Sequence, residues 1–155
     1  VIGLIEQKPR YALAIETDLG ANLPPVAVSP GELQQVLLNL INNAVDALGG
    51  QGGTVRIITS RQGEMVRLTV TDNGIGIAQA NLSRIFDPFY TTKPVGQGTG
   101  LGLSICYGII NKLGGEIKVA SARNKGSAFT VLLPAHVDLK TAPGILREAV
   151  SVQPV

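Results

Sequence analysis

The sequence predicts a single α+β domain, and three observations predict it. Apolar and polar residues alternate in YALAIETDL, TVRIITS, MVRLTVTD, EIKVASA and SAFTVLLP, the period of half-buried strands. Two longer stretches, Pro30 to about Leu48 and Leu101 to Leu113, space their apolar residues as helices do. Glycines punctuate them: GGQGG ends the first helix, and Gly114 and Gly115 stop the second.

Each element has its own signal. Residues 1–10, VIGLIEQKPR, read as the tail of a helix or linker closed by Pro9, and YALAIETDL is the first strand. NLPPV turns the chain, and VAV is a short extended piece. Ser29, Pro30 and Glu32 then supply an N-cap hydroxyl, a proline at the first helical position and a glutamate three residues after the cap. TVRIITS and MVRLTVTD flank a turn at RQGE. A short helix is expected over AQANLSRIF, residues 78–86. EIKVASA and SAFTVLLP flank an Asn-Lys-Gly turn, and residues 135–155 read as tail or linker with one weak helical stretch. No internal repeat is present.

Composition narrows the function classes. At 155 residues the chain fits one core, because folding at this size buries roughly two thirds of the unfolded surface. Apolar residues make up 45% but aromatics only 4%, so the core is aliphatic. Charged residues, at 15%, fall below the ~25% usual in soluble domains, which points to a surface that meets another domain. A net charge of +2 without a Lys/Arg cluster gives no footprint for nucleic acid. The single cysteine, Cys106, rules out an internal disulfide and a cysteine-based zinc site, and it reads as a core filler. Uninterrupted apolar runs fall far short of the ~20 residues of a membrane span.

Three segments carry chemistry. Along the first helix, Gln35, Asn39, Asn42, Asn43 and Asp46 fall in one stripe roughly 100° wide on a cylinder that is otherwise apolar. Burying such groups without partners costs about 1–3 kcal/mol each, so the stripe faces a polar ligand, neighbouring loops or water. At the end of MVRLTVTD, DNGIGI sets Asp72 before Gly74 and Gly76. A carboxylate there can accept from an exocyclic amine while the glycines admit a flat ring, or the segment is an ordinary Asp-Asn-Gly turn. The third segment, GQGTGLGLSI, has glycine at Gly96, Gly98, Gly100 and Gly102. No Gly-Lys pair exists for a Walker loop, and Leu101 and Leu103 occupy the third places of a dinucleotide fingerprint. What remains is a glycine-rich loop that presents backbone N–H groups at a helix N-terminus near Leu101, where anions are favoured.

Asn39-Leu-Ile-Asn42-Asn43-Ala, Asp72-Asn-Gly74-Ile-Gly76, Phe86-Asp-Pro-Phe89-Tyr and Gly98-Thr-Gly100-Leu-Gly102-Leu, in that order, resemble the N, G1, F and G2 boxes of the sensor histidine kinase catalytic domain. That domain shares a superfamily with gyrase, the Hsp90 chaperones and the mismatch-repair ATPases. The resemblance covers about Tyr11 to Pro134. It implies a two-layer α/β sandwich, the Bergerat ATP-binding fold, with a mixed sheet of about five strands and about three helices on one face. The implied organisation is a linker remnant at 1–10, the ATP-binding domain at 11–134 and a tail at 135–155.

The resemblance also implies roles for residues. Asp72 takes the adenine amino group, and Gly74, Gly76 and Ile77 pass close to the ring. Asn43 ligates Mg²⁺ through its side-chain oxygen, Asn39 lies near the phosphates and metal, and Asn42 is a further cofactor-binding candidate. Asp87 to Gln97 forms a short lid anchored by Phe86 and Phe89 in an apolar pocket. Lys93 on that lid touches the terminal phosphate or stays solvated, and Thr91, Thr92 and Gln97 are weaker candidates. Gly98, Thr99, Gly100, Leu101, Gly102 and Leu103 hold the phosphates. Asn39, Asn43 and Lys93 are the candidate catalytic residues. Hydrolases of the superfamily place a glutamate where this chain has Asn39, and an amide has no useful basicity near neutral pH. Asp46 stands where some histidine kinases have a basic residue and is expected to hydrogen-bond within the stripe. The sole histidine, His136, is followed by Val137 rather than an acidic residue and reads as a tail residue.

The expected activity is therefore transfer of the ATP γ-phosphate to a histidine on an upstream dimerisation domain, with a response regulator receiver domain as later partner. The chain is similar to the short-lid, nitrogen-regulation type of kinase. The expected setting is cytoplasmic, without membrane insertion by this segment, in a parent that dimerises. An ATP-hydrolysing conformational machine and a non-catalytic nucleotide-binding module are the alternatives.

Overall fold

Alternation sets the sheet, and the position of one helix sets its polarity. The computed structural model describes residues 12–136, so the expectations for 1–10 and for most of 135–155 fall outside the described residues. Its strands are β1 (Leu13–Leu19), β2 (Gly53–Gln62), β3 (Met65–Asp72), β4 (Glu116–Ser121) and β5 (Ser127–Pro134), in the order β1-β2-β3-β5-β4. β1 runs parallel to β2 because α1 (Pro30–Ala47) carries the chain back between them. The other pairs are antiparallel. α2 (Gly102–Lys112) joins β3 to β4, which lets β5 insert between them. The short extended piece survives as a single bridge from Val26 to Ala135.

The α+β sandwich with a mixed five-stranded sheet stands as expected, with one correction. Among the described residues two α-helices form, not three: the 78–86 segment is a 3₁₀ turn at Gln79–Asn81 followed by further turns. Its backbone closes through i→i+3 bonds, Leu82 N to Gln79 O, Arg84 N to Asn81 O and Asp87 N to Arg84 O. Ala78 heads it without a side-chain cap, so no fourth-residue ladder is started.

The helix starts contrast. Ser29 Oγ accepts from the Glu32 backbone N–H at 3.2 Å and donates to the Glu32 carboxylate at 2.9 Å, which closes the N-terminus of α1. Leu101, heading α2, offers no side-chain cap, so the first N–H groups of that helix lack an intramolecular side-chain acceptor.

Rows of side chains across the sheet show where the core sits. Thr59, Leu68, Val131 and Ile117 form one register row, and Thr17, Ile57, Val70, Phe129 and Val119 form the next. These rows meet Val36, Leu40, Ile41 and Ala44 of α1 and Cys106 and Ile110 of α2 in one buried cluster. Each fully buried aliphatic contributes about 1.5–3 kcal/mol. Cys106 is a core filler, as expected, and burial pushes its thiol up to about 11.

α1 and α2 run in opposite directions on that face. Lys112 Nζ meets Glu32 Oε1 at 2.9 Å, Cys106 Sγ approaches Val36 O at 3.8 Å, and Asn39 Nδ2 donates to Gly102 O at 3.1 Å. The last contact brings the polar stripe of α1 to the start of α2.

Candidate functional site

The next row of the sheet changes character. Ile15 and Val55 continue the inward face, but Asp72, Ser127 and Ser121 follow them in register. Strand alternation thus turns Asp72 to the same side as Leu68 and Val70, between the layers, at the edge where the core ends. Half-buried there, its carboxyl is raised above its ordinary 3.8 by desolvation, against hydrogen bonds from the Gly74 and Ser127 backbones. Gly74 N donates to Oδ1 at 2.9 Å.

A cleft of about 850 Å³ opens above this row, a size suited to a small-molecule ligand. Asn39, Asn42, Asn43 and Asp46 line one wall, so four of the five stripe residues face it; Gln35 does not. Asp72, Gly76 and Ile77 line its base, and Thr91, Thr92, Lys93, Gly98, Thr99, Gly100, Gly102 and Leu103 line the opposite side, with Gln97. The structure therefore gathers most of the expected site residues, although they are spread over more than sixty positions of sequence.

Three expected residues stand outside the lining. Gly74 supports it from behind, where an added Cβ would overlap the Ala47 carbonyl group. Leu101 caps α2 at φ −103°, and its N–H donates to Thr99 Oγ1 at 3.3 Å. Phe89 is a correction. It does not anchor the 87–101 loop in an apolar pocket but is 74% exposed. At φ 66° its backbone folds back to donate from Phe89 N to Gly100 O at 2.9 Å, which turns the ring outward. Phe86 alone packs on the core, its ring 5.6 Å from that of Tyr107.

The structure adds residues that sequence reading missed. Ile75, Asn81, Tyr90, Arg123, Asn124 and Ser127 also line the cleft, and the Arg84 guanidinium lies 4.6 Å over the Tyr90 ring. The β4–β5 turn is locked to the 73–77 loop. Asn124 N donates to Ile75 O at 2.7 Å, and Ile77 N donates to Ser121 Oγ at 2.8 Å. Ser121 Oγ in turn donates to Gly126 O at 2.8 Å and lies 2.9 Å from Ser127 Oγ. Gly76 and Gly126 permit the interlock, since a Cβ at Gly76 would overlap the Ala122 carbonyl and one at Gly126 the Asp72 carbonyl.

Chemically, the cleft pairs two unlike ends. At the Asp72 end a charged acceptor faces a slot walled by Ile75, Ile77 and Phe129, fit for a flat ring that donates from an amine. At the other end, carboxamides, threonines, Lys93 and the uncapped start of α2 face each other, fit for an anionic chain. Lys93 Nζ is already engaged, 2.5 Å from Asp46 Oδ2, so Asp46 takes its partner from the 87–101 loop and not from within the stripe. Among the described residues no group of three or more His, Cys, Asp or Glu side chains could hold a metal by itself. His136 is exposed, past the far end of β5 from Ser127, about 23 Å along the strand, and its N–H donates to Pro25 O.

Comparison with known proteins agrees with this geometry. The family model described as histidine kinase-, DNA gyrase B- and HSP90-like ATPase matches residues 29–137. The sensor histidine kinase ZraS of Escherichia coli K12 is 45% identical over 122 residues, 79% of this chain and 26% of its own length. The chain thus spans about a quarter of that relative. The catalytic domain of histidine kinase ThkA, in a nucleotide-free form, superposes with a TM-score of 0.71 at 37% identity, covering 86% of both chains. Full-length ShkA in complex with AMPPNP gives a TM-score of 0.69 at 32% identity, covering 79% of this chain and 25% of that one.

Proposed function

This chain belongs to the histidine kinase-, DNA gyrase B- and HSP90-like ATPase family, and from that premise we propose that it is the ATP-binding catalytic domain of a sensor histidine kinase. The observation that carries the proposal is one cleft holding a half-buried carboxylate at one end and an uncapped helix start beside a carboxamide wall at the other. Likeness to ZraS and to ShkA, whose structure holds AMPPNP, supports the kinase over the other branches of the family.

Each residue then has a task. Asp72 accepts from the adenine amine, and the locked 73–77 loop and β4–β5 turn hold the ring slot open. The N–H groups at the start of α2, with the Gly98–Gly102 backbone, bind the phosphate chain. Asn39 fixes that helix start against α1 through the Gly102 carbonyl. Lys93 comes to the terminal phosphate as a point charge. Magnesium fits this donor set, because the ion keeps several waters and takes other oxygens from phosphate, so the Asn43 carboxamide suffices as protein ligand. When bound, it would supply charge neutralisation to the phosphate chain.

The acceptor histidine belongs to a separate dimerisation domain, because His136 stands past the end of β5 opposite the cleft. No carboxylate occupies the Asn39 position to activate water, so hydrolysis is slow. A receiver domain takes the phosphoryl group afterwards. The test is to incubate the chain with labelled ATP and magnesium, alone and with a helical histidine-bearing domain from its parent. Label is expected on the added domain only. Label on this chain alone, or steady phosphate release without an acceptor, overturns the reading.

A further inference from the structure

Lys93 is the only basic residue of the 87–101 loop, and the structure spends it on Asp46. The pair spans the mouth of the cleft, from the loop to the last turns of α1. Asp46 lies three residues beyond Asn43 on the same stripe, so a phosphate group held near Asn43 arrives within about 4.5 Å of it along the axis. Half exposed, at 34% for Lys93 and 52% for Asp46, the pair is weakly held, and contacts of this kind bias an equilibrium by roughly two- to fivefold. A terminal phosphate, carrying more charge than one carboxylate, can take the ammonium over.

We propose that Asp46 is a positioning residue that retains Lys93 in the nucleotide-free chain and yields it only to the terminal phosphate of a triphosphate. The inference rests on the cleft being an ATP site. The bond exchanged is an ion pair: Lys93 leaves the Asp46 carboxylate and takes a phosphate oxygen, with no proton moved. A diphosphate, one group shorter, leaves the pair closed.

Calorimetry on Asp46→Asn tests this with ATP and ADP in magnesium. ATP affinity rises about two- to fivefold, ADP affinity is unchanged, and Asp46→Glu restores the wild-type ATP value. In a Lys93→Ala background the Asp46→Asn gain disappears, which separates action through Lys93 from simple relief of repulsion between Asp46 and phosphate. Hydrogen exchange of residues 91–97 in the nucleotide-free chain speeds up in both Asp46→Asn and Lys93→Ala. An unchanged or lowered ATP affinity, an equal rise for ADP, or a gain that persists without Lys93 overturns the proposal while leaving the ATP site intact. Wild-type chain that takes up neither nucleotide refutes the reading of the cleft, and this inference with it.

Discussion

Ser127 stands directly opposite Asp72 in the β3–β5 ladder, and its backbone donates to the Asp72 carboxylate. The acid proposed to recognise the base is thereby set by strand register and not by a loop. The consequences of that placement can be measured.

Burial raises the Asp72 carboxyl above 3.8, so the folded chain holds this proton to higher pH than the unfolded chain. Between 3.8 and the raised value the native state binds more protons, and the Asp72 contribution to stability falls as pH rises through that window. Nucleotide affinity moves the other way, weakening as pH falls through the same window, because the protonated acid is a poorer acceptor. Asp72→Asn removes both dependences and costs roughly ten- to hundredfold in ATP affinity, the worth of a hydrogen bond to a charged group. Titration calorimetry and urea unfolding across the window check both signs.

Two glycine substitutions separate crowding from propensity. Gly76→Ala forces a side chain into the Ala122 carbonyl at φ 65° and is expected to destabilise by about 2 kcal/mol or more. Gly108→Ala, within α2 and with nothing within 4 Å of the added carbon, stabilises by roughly 0.5–1 kcal/mol. Urea midpoints at a fixed slope measure each.

Ser121 is the hub of the β4–β5 lock. Its replacement by alanine leaves the Ile77 N–H and the Gly126 carbonyl without their side-chain partner and costs about 1–3 kcal/mol. Amide exchange at Ile77 rises in the Ser121→Ala chain, while exchange in α1 is unaffected.

For the metal, withholding magnesium lowers ATP affinity about tenfold or more in the wild-type chain, and only slightly in Asn43→Ala. Calorimetry with and without a chelator reads the difference. An Asn43→Ala chain that keeps the full magnesium response removes Asn43 from the metal site.

Much of this was legible because its causes are local. Ser29, Pro30 and Glu32 announce α1 within four residues, and the alternation of Leu68, Val70 and Asp72 points the acid inward with the core. The wall made by Ser121, Arg123, Asn124 and Ser127 was not legible, because β5 reaches β3 by a non-consecutive pairing that sets Asp72 opposite Ser127, 55 positions on. A signal did exist: Ser127 shares the phase of Phe129 and Val131, so a serine sits on an inward face. Leu82, Ile85 and Phe86 imitate helical spacing in 78–86, yet without a cap the backbone settles into tighter turns. Phe89 misled through its type, since an aromatic ring suggests burial and its positive φ is invisible in sequence.

The interlock of Gly76 and Gly126 makes the Asp72 end of the cleft a preset mould, while the 91–97 side, where Val95 is wholly exposed, is unmoulded. An inhibitor shaped to the mould finds its contour already formed. Compounds that extend from it toward Lys93 leave that fixed contour for a wall whose side chains can still adjust.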